Sequence, residues 1–380
     1  MQIKIIGSTI PEEQIELNTA LNFSGKMAGI CYMPDDLETL LSEAEEKTNK
    51  RVQNTLKSGH HSVYDHVTLN LAFIDVPKIL AMILNNEKMY TTSEKSGRYT
   101  KMGALGHQSV LYDKWIEIFK NEILKEYPNF TEKQVIKLAM ENARTLLDIF
   151  TPSTTMAYTV SLRQLNYILY WMENFIKDAP DTDFNIRLKP VFAEFIDNLK
   201  QYRVEGLDTA TKNRGFSLIS EELPEKEEFG MAYCTNYTGT FTHLAQALRH
   251  RTLDYTMKFL PTKQYFVPYI IRGTDYEQQW LDDVSTIEFP QAMLVEINEI
   301  GSCQNFLLKC MERFCGAAQL EIAIQTKNTL EKYMEATKDT YPKVYEMLKP
   351  YSTGARCTFP WFKCTSPCVF GPKGAFTRKV

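Results

Sequence analysis

The chain has 380 residues, 44% apolar and 24% charged, with 21 Phe and 20 Tyr; this composition supports a packed core and excludes a disordered or fibrous protein. That length is about twice the usual domain, which calls for two domains or one duplicated unit. The formal net charge of -4 lacks the basic excess that binding to nucleic acid demands, so no nucleic-acid partner is expected.

The opening Met-Gln-Ile-Lys-Ile-Ile-Gly is too short an apolar run for a secretory signal, and no stretch of about 18 apolar residues follows. Cytoplasmic residence without a membrane partner is the expectation. The eight cysteines then read as reduced thiols rather than a disulfide frame.

In chain order, the polar Glu/Lys-rich stretch 37–57 predicts a helix closed by Gly59. Val67, Leu69, Leu71 and Phe73 alternate with Thr68, Asn70 and Ala72 in strand period, and a short helix over about 77–87 follows. Thr131 and Gln134 form a capping-box start for a helix over 131–148, with Pro152 beyond its end. A second apolar helix is predicted over about 162–176. Residues 205–228 are polar and aperiodic, a connector between halves. Beyond it the order returns: a strand over 231–241, a short helix over 242–251, and helices over 302–334.

Three clusters carry chemistry. Gly59-His60-His61-Ser62-Val63-Tyr64-Asp65-His66 holds three of the six histidines; without Cys partners or paired helical spacing it reads as a ligand-facing turn, and no metal is assigned. On a helix, Gln246 would share a face with Arg249 and His250, so that guanidiniums, an imidazole and an amide converge, which is anion chemistry. Arg249-His250-Arg251 could equally be a solvated basic triplet. Glu94-Lys95-Ser96-Gly97-Arg98-Tyr99 combines a hydroxyl, a permissive Gly and an Arg suited to phosphate, or is an ordinary turn. Cys357, Cys364 and Cys368 could bind zinc with a fourth ligand such as Cys31, Cys303 or Cys310, but lack a CxxC knuckle, so free thiols are expected.

Together the clusters resemble the flavin-dependent thymidylate synthases. That family has a Gly-His-x-Ser/Thr-x-x-Glu-His turn, a Gln-x-x-Arg-His-Arg helix, a Glu-x-Ser-x-Arg-Tyr loop and a later Ala-Gln-x-Glu-Ile helix. Here the pattern is divided. The first half holds Gly59 to His66, Glu94 to Tyr99, Ala143-Arg144 and Ser161-Leu162-Arg163, but reads Ile83-Leu84-Asn85-Asn86-Glu87-Lys88 where the Arg triplet should stand. Its Ala-Gln segment is degraded to Asp183-Phe184-Asn185-Ile186. The second half holds Gln246 to Arg251, and Arg313 ahead of Ala318-Gln319-Leu320-Glu321-Ile322, but Thr256-Met257-Lys258-Phe259-Leu260 replaces the Ser-x-Arg loop. The losses do not overlap, which points to one site shared between two degenerate copies.

The resemblance implies an α+β fold of two tandem units, 1–204 and 229–380, joined by 205–228, each a mixed or antiparallel sheet packed with long helices. It implies an FAD-dependent methyltransferase making thymidylate from dUMP, with NADPH and methylenetetrahydrofolate as cosubstrates. The alternatives are C5-methylation of UMP or another uracil nucleotide, or a silent nucleotide- or flavin-binding subunit. The residue roles it implies are Arg313 and His60 in catalysis, and Arg249, His250, Arg251, Ser62 and Arg163 at the flavin. Gln246, Glu94, Ser96, Gly97, Arg98, Arg144 and Arg313 would bind the nucleotide. Asp65 and Ala317 depart from the Glu and His of the family pattern. The family site lies between subunits of a tetramer, so a homodimer of this chain is expected.

Overall fold

A computed structural model describes residues 1–11, 16–31, 36–207 and 215–380, which leaves 208–214 of the expected connector outside the description. The chain forms two compact units, Met1–Lys95 with Pro152–Phe216, and Ser96–Thr151 with Ser217–Val380.

In the first unit, strand β1 (Gln2–Ser8) pairs with β2 (Thr68–Pro77), and β3 (Tyr90–Glu94) completes an antiparallel sheet with β4 (Pro152–Ser161) in the order β1-β2-β4-β3. The predicted alternation of β2 is realised: Leu69, Leu71 and Phe73 are buried while Thr68, Asn70 and Ala72 lie partly exposed. Helix Leu162–Asp178 starts where the Ser161 hydroxyl accepts the Gln164 amide at 3.1 Å, and it buries Leu165, Ile168, Leu169 and Met172 along one face. Phe73 stacks on Tyr158 at 5.6 Å and meets Phe195 of helix Asp183–Leu199 edge-on, which ties helix to sheet.

The second unit repeats the scheme. Strands β5 (Glu228–Phe229), β6 (Ala232–Thr240), β7 (Asp254–Phe259) and β8 (Leu294–Ser302) form an antiparallel sheet in the order β5-β6-β8-β7. In both sheets the third strand in chain order becomes an edge, and the fourth runs into a helix with a Ser cap: Ser302 opens Cys303–Arg313 as Ser161 opens Leu162–Asp178. Two copies of one topology in one chain give the tandem α+β architecture its content.

The compact units nevertheless cut across the expected boundaries. Helices His107–Glu126 and Glu132–Ala143 come from the first half of the sequence but share a core with the second: Trp115 meets Trp280 edge-to-face at 4.9 Å, and Phe119, Ile123 and Val135 are buried beside Ile271 and Val284. The Trp115 indole also donates to Asp283 at 2.8 Å. Burying each such side chain is worth roughly 1.5–3 kcal/mol, enough in sum to hold Ser96–Thr151 in the second unit.

Local expectations are met or shortened for identifiable reasons. The Thr131–Gln134 capping box is present in both directions, but its helix ends at Ala143 and passes into a 3-10 turn over Arg144–Leu146, short of residue 148. The stretch 37–57 is two helices, Leu37–Leu41 and Glu45–Ser58. The break falls where the Ser42 hydroxyl bonds back to Glu38 and Glu43 turns in to Arg51, which holds the Glu43 carboxyl down at about 2. Gly59 closes the second helix at φ 74, as expected. The helix expected over 242–251 spans only Phe241–Ala247.

Candidate functional site

The second unit collects residues from both halves of the sequence. Ser96 opens the Arg98 loop by accepting the Tyr99 and Thr100 amides at 3.1 Å. Arg98 Nε donates to Glu141 at 2.8 Å, and its Nη2 donates to the Ala317 carbonyl. Gly97 is required by close approach: a Cβ there would meet the Arg144 Cδ and the Met102 Cγ at 2.9 Å. Arg144 therefore lies directly against the loop, and its Nη2 donates to Gln319 Oε1 at 3.0 Å.

From the other direction, Thr240 caps helix Phe241–Ala247 by accepting the His243 amide at 2.9 Å. The Gln246 amide donates to the same Gln319 oxygen that Arg144 reaches. Gln319 stands at the N-terminus of helix Leu320–Thr337. Two residues on, in the first turn, Glu321 accepts the Thr240 backbone amide and hydroxyl, both at 2.9 Å, and so pins the start of the Gln246 helix.

Because that helix stops at Ala247, Arg249, His250 and Arg251 do not continue its face as the sequence suggested. The His250 amide bonds back to Ala247 at 2.9 Å, and the chain turns. Arg249 and Arg251 are exposed, whereas His250 is 5% exposed and points inward. Arg313, the last residue of helix Cys303–Arg313, donates from Nε to His250 Nε2 at 2.7 Å and from Nη2 to the Gln246 carbonyl at 3.0 Å.

Burial dominates the electrostatics. It pushes His250 down to about 2, with Arg313 adding to the effect, and Arg313 itself down to about 10. For Arg98, burial works toward a lower pKa, but Glu141 outweighs it and leaves the guanidinium above its ordinary value. Burial raises Glu321 from 4.5 to about 7. A carboxyl whose folded pKa is raised contributes stability that is full below 4.5 and lost as pH climbs through about 7, here on the order of 3 kcal/mol. Glu321→Gln should therefore match the wild type at pH 4 and be the more stable at pH 8. Urea midpoints at the two pH values check this, and a difference that does not change with pH would refute it.

The remaining expected residues belong to the first unit. Ser62 is exposed on the 3-10 turn His61–Asp65, and His60 precedes it. His61 is buried, with Nε2 3.1 Å from the Leu56 carbonyl. Arg163 pairs with Asp65 at 2.8 Å, and Asp65 also accepts the Ser161 hydroxyl at 2.7 Å. The Glu94 carboxylate, expected at the nucleotide, is engaged by Lys78 at 2.6 Å and the Thr154 hydroxyl at 3.0 Å.

Among the described residues no group of three or more His, Cys, Asp or Glu is arranged to hold a metal ion, and all eight cysteines are free thiols. Cys315, Cys357, Cys364 and Cys368 line one pocket of about 220 Å³.

Residues 17–172 match the family model described as thymidylate synthase complementing protein. A flavin-dependent thymidylate synthase from Clostridium tetani is 29% identical over 132 residues, which cover 34% of this chain and 48% of that protein. The chain thus spans about half the length of the curated relative it matches. Among solved structures, a UMP/dUMP methylase PolB from Streptomyces cacaoi, bound with 5-Br dUMP, aligns over 56% of this chain and 95% of its own at 13% identity and TM-score 0.35. The flavin-dependent thymidylate synthase ThyX from Helicobacter pylori, with FAD and dUMP, aligns over 54% and 98% at 14% identity and TM-score 0.32.

The matched stretch contains Ser96, Gly97, Arg98 and Arg144, while Gln246, Arg249, Arg313 and Gln319 lie beyond it. Sequence reading quoted Gln319 and Glu321 as part of a motif but gave them no role, and missed Glu141. The backbone amide and side-chain hydroxyl of Thr240 are the donors that Glu321 accepts; only the fold sets them opposite each other.

Proposed function

We propose that the chain is a flavin-dependent methyltransferase that makes thymidylate from dUMP at a composite site in the second unit, built from both halves of the sequence. The observation that carries this reading is Gln319 Oε1, which accepts from Arg144 of the first half and Gln246 of the second. In this reading Arg98 and Arg144 take the nucleotide phosphate, for which guanidinium forks are suited. Gln246 and Arg313 engage the uracil carbonyls, and the positive charge of Arg313 favours electron density on the ring oxygen during attack at C5.

The donor set fits FAD: the exposed guanidiniums of Arg249 and Arg251, three and five residues beyond Gln246, suit a pyrophosphate or an anionic reduced ring. Bound FAD would supply hydride transfer, with NADPH as its reductant and methylenetetrahydrofolate as the one-carbon donor. Two such chains would pair as a homodimer.

The test is NADPH oxidation by the purified protein with methylenetetrahydrofolate and either dUMP or UMP, followed by analysis for a C5-methylated product. Absence of product with both nucleotides defeats the reading. Arg98→Ala should weaken dUMP binding roughly 10- to 100-fold, the equivalent of about 1.5–3 kcal/mol for a charge-assisted contact, with flavin content unchanged. Arg249→Ala should do the reverse, lowering the 450 nm flavin absorbance of the purified protein. An exchange of the two phenotypes would refute the composite assignment.

A further inference from the structure

His250 belongs to the basic triplet, yet it does not behave as a surface cation. Its side chain is 3% exposed, and its Nε2 accepts the Arg313 Nε–H at 2.7 Å. A ring nitrogen that accepts carries no proton, so the neutral ring bears its hydrogen on Nδ1. The Glu312 carboxylate lies 3.7 Å from that nitrogen and 3.9 Å from Arg313 Nη2, on the side where a negative charge favours this tautomer. The surrounding groups agree: Arg313 and Lys309 from helix Cys303–Arg313 and His243 from the preceding helix all oppose a charge on the ring, after burial itself.

Arg313 is held at two of its three nitrogens, Nε by His250 and Nη2 by the Gln246 carbonyl. Nη1 takes part in neither bond. We infer that His250 is a positioning residue for the nucleotide subsite rather than a flavin contact: its unprotonated Nε2, with the Gln246 carbonyl, fixes the plane of the Arg313 guanidinium that the substrate meets. The inference rests on the reading of Arg313 given above and adds a Glu312–His250–Arg313 relay of orientation to it. An acceptor of this kind lowers the disorder of a long side chain before substrate arrives, so that the guanidinium need not reorganise during reaction.

The test uses the FAD-loaded full chain and two substitutions at one position. His250→Leu keeps approximate volume but cannot accept a hydrogen bond, whereas His250→Gln offers an amide oxygen near the place of Nε2. His250→Leu should lower kcat roughly 10- to 100-fold with flavin content unchanged, and His250→Gln should recover most of that loss. In an Arg313→Ala background, His250→Leu should add little, because the group it positions is gone. Loss of flavin in proportion to activity, or a Gln variant no better than Leu, would overturn the inference. Ring ¹⁵N shifts of wild-type His250 give a readout independent of turnover: an Nδ1–H tautomer from pH 5 to 9 is required, and a protonated ring or the Nε2–H tautomer refutes the role. A wild type without activity on dUMP or UMP would remove the proposed function, while the ¹⁵N result would still decide the positioning role.

Discussion

Arg313→Ala should lower kcat by on the order of 10²- to 10³-fold, the loss seen when one preorganised donor to developing charge is removed. Flavin content should be unchanged, because the exposed Arg249 and Arg251 remain. The same substitution leaves the buried His250 Nε2 without its donor, a cost of about 1–3 kcal/mol that should appear as a lowered melting temperature. Arg313→Lys separates the two effects. An ammonium keeps the charge but cannot present Nε and Nη2 in the fork that serves His250 and Gln246 together, so it should restore stability only in part and turnover less. Steady-state kinetics with dUMP and a thermal melt on each variant suffice, and full activity in Arg313→Ala would dismiss the residue from the mechanism. Since the guanidinium loses its proton only near pH 10, activity limited by Arg313 should hold across neutral pH and fall as pH rises through about 10.

Glu299→Leu should be the most destabilising single change in the second unit. Lys309 and Glu299 are both fully buried and paired, and Glu299 also accepts the Tyr233 hydroxyl at 2.5 Å and the Tyr237 hydroxyl at 2.7 Å. Removing the carboxylate strands an ammonium in the core, at a cost of about 3–5 kcal/mol. That corresponds to a fall in melting temperature on the order of 10 °C. The double variant Glu299→Leu with Lys309→Met should recover much of it, since an apolar pair of similar volume avoids the desolvation of both charges. If the double variant is no better than the single, the hydroxyls rather than the lone charge set the cost. Lys309 stands four residues before Arg313 on the same helix face, so a loosened core should reach the site as well.

What could be read in the sequence is what short-range chemistry controls. The alternation of β2, the Thr131–Gln134 box and the turn at Gly59 each depend on residues within a few positions of one another. The difference in residue types between the two halves is also legible in the sequence, because it needs no geometry. The helix expected over 242–251 runs too far because Leu248 and Arg249 are good helix formers; in the structure the helix ends at Ala247 and His250 is buried against Arg313.

The sequence by itself determined the residue inventory and the short-range features, such as the alternation of β2, the Thr131–Gln134 box and the turn at Gly59. The tertiary structure alone decided which parts share a core. The apolar faces of helices His107–Glu126 and Glu132–Ala143 pack with Trp280 and Val284, so Arg98 and Arg144 travel with them into the second unit. It also decided that Gln319 joins Arg144 to Gln246 and that Glu141 neutralises Arg98, partners far apart along the chain. Burial of apolar surface has no sequence address of its own; it depends on which complementary faces meet, and the polar contacts of the site are set by where that packing delivers them.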